Sequence, residues 1–474
     1  MLYLDNKTRI LMKPLHIFNS LHRKKQPFTP IVEGKVGLYV CGMTVYDFCH
    51  IGHARVMVVF DVVARYFKYL GYEVNYVRNI TDIDDKIINR AIEAGEDFSQ
   101  LTQRFIAEMH QDETSLNVQK PDLEPLATES MNDIILMIET LIDKQHAYLG
   151  PNNDVYYAVE SFANYGQLSG RKLDDMNAGE RVEVDANKRN PFDFVLWKSA
   201  KAGEPAWPSP WGAGRPGWHI ECSAMSTRCL GNHFDIHGGG MDLQFPHHEN
   251  EIAQSEAATG ECFVNTWMHN GFVRIDDEKM SKSLGNFFTV REVLKQYRGE
   301  EIRFFVLSSH YRSPLNYSDE QLNESRAALE RLYTALRNVT PAANPDKSDY
   351  IQRFEAAMND DFNTAKALSV MFECANELNK LKSTDPEKAA KTATDLLTMA
   401  EPLGLLNQDP ETYLQSSTGD DVAIDNDVIT LKINQRLQAK ADKNWALADQ
   451  IRDELSQQGV ILEDKGVQTT WRRN

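Results

Sequence analysis

The sequence lacks a long apolar run. Nowhere among its 474 residues is there an uncharged apolar stretch of about 18 residues, roughly the length that spans a bilayer as a helix. The N-terminal segment, residues 1–25, also lacks an apolar stretch of signal-peptide length. These absences argue against a helical membrane protein and predict a cytoplasmic protein without a membrane partner.

Cysteine is sparse and scattered. The chain has six cysteines, and no two are arranged as C-x-x-C, so the sequence suggests neither a zinc ribbon nor an iron–sulfur site. Their wide spacing in a long chain also argues against a disulfide framework. Cys374 lies on a stripe with helical spacing that predicts a buried helix face, formed with Leu368, Met371, Phe372, Ala375 and Leu378.

An excess of positive charge is missing as well. The formal net charge is −18, whereas a protein that coats nucleic acid nonspecifically needs a broad basic surface to replace the phosphate counterions. The charge therefore excludes that class of protein. It does not exclude one specific RNA held on a local basic face.

Two common catalytic motifs are absent, the P-loop and the G-x-S-x-G nucleophile elbow. Without that elbow, His237 with Gly238–Gly240 is not the oxyanion loop of an esterase. Strand-like residues 233–237 precede these glycines, and glycine lets a ligand approach the backbone closely. The pattern favours a nucleotide at this loop.

The most informative stretch of the sequence is at 37–55, GLYVCGMTVYDFCHIGHAR. It predicts a short strand, a turn at Cys41, and a helix that begins at His50-Ile51-Gly52-His53. A helix N-terminus offers unpaired N–H groups and partial positive charge, which suits a phosphate. The alternative is that His50 and His53 only cap the helix.

A second motif agrees with the phosphate interpretation. Lys279-Met280-Ser281-Lys282-Ser283 places two lysines around a small hydroxyl residue, and Gly285 follows closely. Lysine is a mobile point charge suited to polyphosphate.

Together, HIGH and KMSKS in this order resemble the signatures of the class I aminoacyl-tRNA synthetases. Cys41, Cys222 in GWHIEC and the run FPHHENE at 245–251 resemble the cysteinyl-tRNA synthetase family in particular. The resemblance implies activation of L-cysteine by ATP to cysteinyl-adenylate and pyrophosphate. Transfer of cysteine to the 3′-terminal ribose of tRNA(Cys) would follow, catalysed by a monomer.

A metal site follows from the same resemblance. His247 and Glu251 are four residues apart, so on a helix they face one side. Cys41 and Cys222 are expected at distant strand ends. The resemblance alone implies that all four residues meet around one Zn²⁺. His248 is an alternative ligand to His247. A zinc peptidase is excluded because Ile252 stands where the second histidine of H-E-x-x-H would be.

Zinc explains how cysteine is selected over serine, since zinc prefers sulfur and an apolar pocket separates such isosteres weakly. No editing domain is then needed. Cys41 and Trp218 are assigned to the substrate cysteine, although Trp218 as a buried structural residue is an equal alternative.

The resemblance implies that ATP, with Mg²⁺, lies between the two signature motifs. Catalytic roles are assigned to His50 and His53 at the phosphates and to Lys279 and Lys282 at the pyrophosphate. The nucleotide-binding set comprises His50, Gly52, His53, His237, Gly238, Gly239, Gly240 and Lys282. Asp82, Asp84 and Asp85 offer an alternative magnesium site, but capping of the following helix is preferred.

The predicted fold class is α/β, a Rossmann-like parallel sheet interrupted by an insertion, followed by a helical bundle and a small α+β domain. The predicted boundaries are 1–13 for an N-terminal extension, 14–330 for the catalytic domain, about 124–217 for its insertion, 331–406 for the bundle, 407–427 for a linker and 428–474 for the last domain. The resemblance implies that the insertion holds the acceptor end of tRNA.

Trp471, Arg472 and Arg473 are assigned to tRNA as an exposed aromatic and two cations, which suit stacking on unpaired bases. An ordinary folded C-terminus is the alternative. The alternative functions are a related ligase that joins cysteine to an amino sugar and a catalytically silent protein that binds cysteine or tRNA. The C-terminal tail argues against the first, and the intact HIGH and KMSKS motifs argue against the second.

Overall fold

The structure is a computed structural model that describes residues 14–171, 186–275, 278–279, 288–344, 347–416, 424–465 and 468–473. The chain divides into two compact units that interleave along the sequence. The first consists of residues 1–290, 309–317 and 355–365, and the second contains the remainder. Within the described ranges, no helix has both the length and the apolarity to cross a membrane.

The strands and helices up to residue 275 are β1 His16–Asn19, β2 Lys24–Pro27, β3 Lys35–Val40, α1 Ile51–Tyr69, β4 Glu73–Arg78, α2 Asp85–Ala94, α3 Phe98–Ser115, α4 Met131–Asp143, β5 Ala147–Leu149, β6 Val155–Tyr157, β7 Phe194–Ser199, β8 Gly214–Pro216, α5 Trp218–Leu230, β9 Phe234–Gly240, α6 Glu249–Thr259, β10 Val264–Asn270 and β11 Val273–Ile275.

The later elements are β12 Glu278–Lys279, α7 Val290–Leu294, α8 Gly299–Leu307, β13 Leu315–Tyr317, α9 Asp319–Leu336, α10 Asp349–Met358, α11 Thr364–Thr384, α12 Pro386–Ala400, α13 Pro410–Gln415, α14 Asn426–Ala441, α15 Trp445–Gln457, β14 Val460–Lys465 and β15 Gln468–Arg473.

The centre of the first unit is a parallel sheet with the strand order β10-β9-β3-β4. The predicted unit of strand, helix and strand at 37–85 is confirmed, since β3 pairs in parallel with β4 and α1 connects them. The strand order reverses between β3 and β9. Ligands of open α/β sheets bind at such a switch point, outside the carboxyl ends of the strands.

Local sequence explains the first crossover. The apolar side of α1 is wide, with residues such as Val58, Phe60 and Phe67 fully buried, as expected of a helix packed between sheet and neighbouring elements. The chain leaves the helix at Gly71, whose φ of 89° is readily adopted only by glycine. β4 then begins two residues later.

The glycines after His237 differ from the expectation. Gly238–Gly240 continue β9 and pair with residues 268–270 of β10, so they belong to the strand and not to a loop. Glycine is needed at position 238 for a steric reason, because a Cβ there would lie 2.2 Å from the ring of Phe60. Gly238 thus lets the sheet pack closely on α1, whereas a Cβ on Gly239 would meet the His248 ring at 2.9 Å.

Strands between residues 147 and 216, within the predicted insertion, form a sheet of their own. β5, β6, β7 and β8 pair antiparallel in chain order, and α4 packs beside them. Trp197 is fully buried in the core that this sheet shares with α4 and α5.

The second unit is mainly helical and ends in the antiparallel hairpin of β14 and β15. Cys374 is fully buried, as predicted. Helix α13 lies within the segment predicted as a linker, and its Tyr413 stacks on Tyr333 with 3.9 Å between ring centroids. α14, α15 and the hairpin share a small core that includes Ile429, Leu455 and Trp471.

Candidate active site

Cys41 follows directly after β3, at the switch point of the sheet. Its N–H donates to the carbonyl of Gly238 on β9 at 3.1 Å. The next residue, Gly42, passes so close to β4 that a Cβ would lie 1.6 Å from the carbonyl oxygen of Asn79. Its N–H donates to Asn79 Oδ1 at 2.9 Å. Only glycine fits here, and the close approach determines the position of Cys41.

Four side chains with metal-binding donors converge on Cys41. One donor atom from each of Cys41, Cys222, His247 and Glu251 lies within 4.8 Å of the others, and all four residues are buried. Cys41 Sγ is 3.6 Å from Cys222 Sγ and 3.3 Å from Glu251 Oε1, while His247 Nε2 is 3.0 Å from the same oxygen. The structure therefore brings the predicted ligands together.

The origin of Cys222 differs from the expectation. It lies in the first turns of α5 and not at the end of a strand. Since Cβ atoms on a helix tilt towards its N-terminus, the side chain of Cys222 can point from α5 towards the carboxyl end of β3. His247 lies in a turn just before α6, and Glu251 lies in the first turn of that helix.

The donor set fits a soft divalent metal ion. Two sulfurs bound to zinc at about 2.3 Å each are about 3.7 Å apart in tetrahedral geometry, close to the observed 3.6 Å. A second set that shares Cys41 and Glu251 uses His237 and His248. His248 Nε2 is buried, has no hydrogen-bond partner among the residues that the structure describes, and lies 4.0 Å from Glu251 Oε1. A nearby cation would satisfy it.

The electrostatics of the cluster favour anionic ligands. Burial opposes ionisation of the Cys222 thiol, but the hydrogen bond from Cys41 and the proximity of His247 bring the pKa of Cys222 down to about 6. Burial likewise disfavours a charged Glu251, yet His237 and His247 hold the pKa of that carboxyl well below its usual range. A thiolate and a carboxylate are the forms in which these residues bind metals.

The sequence predicts that His237 binds ATP, but its side chain faces the metal-ligand cluster and is not among the described residues that line the cavity. It is fully buried, donates from Nε2 to Glu251 Oε2 at 2.8 Å and stacks on Trp267. It therefore orients the predicted metal-binding carboxylate, as outer partners of metal ligands do. The sequence offered no signal for this contact, because His237 and Glu251 meet only when β9 packs beside α6.

Other histidines support the ligands from behind. His219 Nδ1 and His247 Nδ1 share a hydrogen bond of 2.9 Å, which leaves His247 Nε2 directed at the cluster. His248 and His269 share another of 2.8 Å. Burial, together with the positive field of His237, lowers the pKa of His269 to about 3, so that imidazole is neutral at physiological pH. Sequence reasoning missed His219 and His269.

A cavity of about 390 Å³ opens beside the cluster. Its wall includes residues from the switch point, the HIGH motif and the first turn of α5, among them Cys41, His50, Gly52, His53, Trp218 and Gly240. Trp218 is 39% exposed and its ring centroid lies 4.2 Å from that of His247. It is thus a wall of the cavity and not a buried structural residue.

The HIGH histidines form the start of α1. Each main-chain N–H donates to the other residue's Nδ1, at 3.3 Å from His50 and 3.2 Å from His53, and the two rings stack with centroids 3.5 Å apart. Both histidines therefore cap the helix and also line the cavity. Capping and phosphate binding are compatible, since the stacked rings stand at the positive end of the helix.

The KMSKS motif is described only at its first residue. The main chain of Lys279 in β12 pairs with Arg274 of β11, and β11 pairs in parallel with β13. Lys282 lies outside the described residues. The sheet β12-β11-β13 begins at Val273, which also lines the cavity.

The acidic run after β4 caps α2, as preferred. Asp84 Oδ1 accepts from the N–H of Lys86 at 2.9 Å. Asp82 accepts from Thr128, and Asp85 pairs with Lys198. Among the residues described, the groups able to bind a metal do not include these three aspartates.

The C-terminal residues assigned to tRNA are committed to internal contacts. Trp471 is only 6% exposed and belongs to the small core of the second unit, so the expectation of an exposed aromatic was wrong. Arg472 pairs with Glu330, and Arg473 donates to the carbonyls of Gln415 and Ile424. Trp471 is buried because successive side chains of a strand point to opposite faces, and its side chain is on the face that packs against the core.

Comparison with known proteins shows the family of the chain. Residues 27–327 match the model of the class I tRNA synthetase (C) catalytic domain, and residues 353–407 match the DALR domain. The cysteine–tRNA ligase of Methylococcus capsulatus is 63% identical over 464 residues, covering 97% of this chain and 100% of that protein. That of Thioalkalivibrio sulfidiphilus is 62% identical over 460 residues, covering 97% and 100%.

Among solved structures, the methionyl-tRNA synthetase of Mycobacterium tuberculosis in complex with methionyl-adenylate aligns with a TM-score of 0.58 at 14% identity. The alignment covers 80% of this chain and 93% of that chain. At this identity the likeness concerns the fold alone, which is that of a class I synthetase. The matches over nearly the whole length are decisive, and this chain belongs to the cysteine–tRNA ligase family of class I aminoacyl-tRNA synthetases.

Proposed function

We propose that this protein is an ATP-dependent ligase that attaches L-cysteine to tRNA(Cys). The observation that carries the proposal is the double position of Cys41, which belongs both to the metal-ligand cluster and to the wall of the cavity at the HIGH motif. A substrate thiol held at the cluster would have its carboxylate in the cavity where a nucleotide phosphate is expected. Membership of the cysteine–tRNA ligase family supports the same assignment.

Cys41, Cys222, His247 and Glu251 would hold one Zn²⁺. When bound, zinc supplies a soft Lewis acid that favours the thiolate of cysteine over the hydroxyl of serine. The chain prepares this site by burying all four ligands and by turning His247 and Glu251 with hydrogen bonds from His219 and His237. Trp218 covers the side of the site that faces the cavity.

In the first reaction, a carboxylate oxygen of cysteine attacks the α-phosphorus of ATP in line. A bond forms between that oxygen and phosphorus, the bond to the bridging oxygen of the β-phosphate breaks, and pyrophosphate leaves with Mg²⁺. His50 and His53 lie at the N-terminus of α1, where their imidazole Nε2–H groups and the positive end of the helix can stabilise phosphate oxygens. Gly52 and Gly240 allow the nucleotide to approach the main chain.

Lys279 and Lys282 would stabilise the charge that develops on the pyrophosphate. In the second reaction, a hydroxyl of the terminal ribose of tRNA attacks the carbonyl carbon of the adenylate and AMP leaves. Cysteine is then esterified to the tRNA. The cytoplasmic location, the monomeric state and the predicted domain boundaries stay predictions.

The exposed aromatic that the tRNA assignment requires is Trp445 and not Trp471. Trp445 is 60% exposed at the first position of α15, and base stacking on such a ring contributes about 1–3 kcal/mol. We therefore expect Trp445→Ala to raise the KM for tRNA about tenfold and to leave cysteine-dependent pyrophosphate exchange unchanged. Charging kinetics with tRNA transcripts measure the effect.

Leu447→Ala is the matched control, because Leu447 is 41% exposed on the same helix and lacks an aromatic face. An unchanged KM for tRNA in Trp445→Ala, or an equal change in Leu447→Ala, would contradict stacking at this position.

The function itself is tested by transfer of labelled cysteine to total tRNA, with serine as the control amino acid. We expect charging with cysteine alone, dependent on ATP. Cysteine-dependent pyrophosphate exchange without charging would instead favour a ligase with another acceptor, such as an amino sugar. Absence of both reactions would favour a silent binding protein.

A further inference from the structure

Arg55 is a fully buried cation on α1, two residues after His53. Its guanidinium reaches main-chain carbonyls of two separate segments. Nη1 donates to Gly271 at 2.9 Å and to Phe272 at 2.8 Å, while Nη2 donates to Tyr311 at 3.0 Å and to Ser313. In the part of the chain that the structure describes, no carboxylate pairs with Arg55.

A buried charge without a counterion is costly, and an apolar side chain would fill the space at lower cost. Burial lowers the pKa of Arg55 to about 10, so the side chain is still a cation at neutral pH. The charge strengthens its hydrogen bonds to the carbonyls. Arg55 therefore fastens α1 to residues 271–272 and to residues 310–313.

Both segments lead into the small sheet that carries the first KMSKS lysine. Asn270–Val273 line the active-site cavity, and β11 begins at Val273. The N–H of Leu315, the first residue of β13, donates to the carbonyl of Phe272 at 2.9 Å. Lys279 of β12 pairs with β11. The guanidinium thus binds the two segments that lead into this sheet, one just before β11 and one just before β13.

The two segments also touch each other closely. The N–H of Gly271 donates to the carbonyl of Tyr311 at 2.8 Å. A Cβ on Gly271 would lie 2.5 Å from the carbonyl oxygen of Ser313. Several carbonyl oxygens consequently point into one small space, where their mutual repulsion needs a cation with many donors.

We propose that Arg55 is a positioning residue for adenylate formation. By holding the segments just before β11 and β13, it fixes the position of β12, the strand that carries Lys279, relative to His50 and His53. These two histidines lie at the start of the same helix as Arg55. The role rests on the proposed function. Arginine is required because the four N–H groups on its two Nη atoms lie in one plane and reach both segments, whereas lysine offers three from a single nitrogen.

The test compares Arg55→Met and Arg55→Lys with Arg65→Met. Arg65 lies on the same helix and pairs with Asp61, away from the cavity. Steady-state pyrophosphate exchange gives kcat and the KM values, calorimetry with zinc-loaded protein gives cysteine affinity, and thermal unfolding reports stability. A displacement of about 1 Å can cost about 100-fold in rate.

We expect kcat for exchange to fall about 30-fold or more in Arg55→Met and less in Arg55→Lys. Cysteine affinity should stay within about twofold, since other side chains hold the metal-ligand cluster. Arg65→Met should keep kcat within about twofold. A kcat unchanged in Arg55→Met would overturn the role, as would a parallel loss of cysteine affinity.

If Arg55→Met does not fold, Arg55→Lys decides by the same split between kcat and cysteine affinity. Cysteine-dependent exchange by the unsubstituted protein is the reference. Its absence would overturn the proposed function and the role of Arg55 together, whereas normal exchange there and in both Arg55 variants would overturn only the role of Arg55.

Discussion

Replacing Cys222 with serine is expected to remove tightly bound zinc and to lower cysteine-dependent pyrophosphate exchange about 100-fold to 1000-fold. Structural zinc sites bind with about 10–16 kcal/mol in total, so loss of one of the four ligands removes roughly a quarter of this, about 2.5–4 kcal/mol. Cys222 Sγ lies 3.6 Å from Cys41 Sγ. A serine hydroxyl at this place stays protonated at neutral pH and is a poor ligand for zinc.

The measurements are metal content by mass spectrometry and exchange kinetics, each in the presence of a weak chelator. Cys262→Ser is the matched control because Cys262 is exposed and is not part of the cluster. It should retain one zinc per chain and the full exchange rate. A Cys222→Ser protein that kept both properties would contradict the assigned ligand set.

Replacing Lys282 with alanine is expected to lower the rate of adenylate formation about 100-fold to 1000-fold with little change in cysteine affinity. The lysine is assigned to charge that develops on the leaving pyrophosphate, so its contribution is larger in the transition state than in the ground state. Loss of one such donor typically costs about 3–4 kcal/mol. Single-turnover formation of the adenylate measures the rate directly.

Lys295→Ala serves as the control, since Lys295 is an exposed lysine a short distance along the chain. Cysteine affinity is measured on the same preparations by calorimetry. Equal losses in cysteine affinity and adenylate formation would show that Lys282 supports the fold of the site and does not act on the pyrophosphate.

Much of the fold was accessible from sequence because its signals are local. The strand at 37–40, the helix that begins after His50 and the following strand are confirmed, since apolar periodicity, a capping pair and Gly71 all act over a few residues. Asp84 is confirmed as a helix cap for the same reason. The family and the class I fold are confirmed as well.

The errors concern residues whose neighbours are distant in sequence. His237 faces Glu251 because a strand and a helix of the same crossover pack together. Trp471 is buried because the hairpin of β14 and β15 covers α14 and α15. Residue spacing does not predict these two contacts, since each depends on which face of a strand or helix packs against the core.

By itself, the sequence determined the residue types available to this protein: the HIGH and KMSKS motifs, a set of cysteine, histidine and glutamate side chains of the kind that can bind a metal, and the family to which they belong. Only the tertiary structure decided which side chains meet. The reversal of strand order between β3 and β9 brings Cys41 beside Cys222, His247 and Glu251, and Arg55 joins α1 to two loops more than 200 residues away. Such contacts form because burial of whole helices and sheets, and not local sequence, selects their partners.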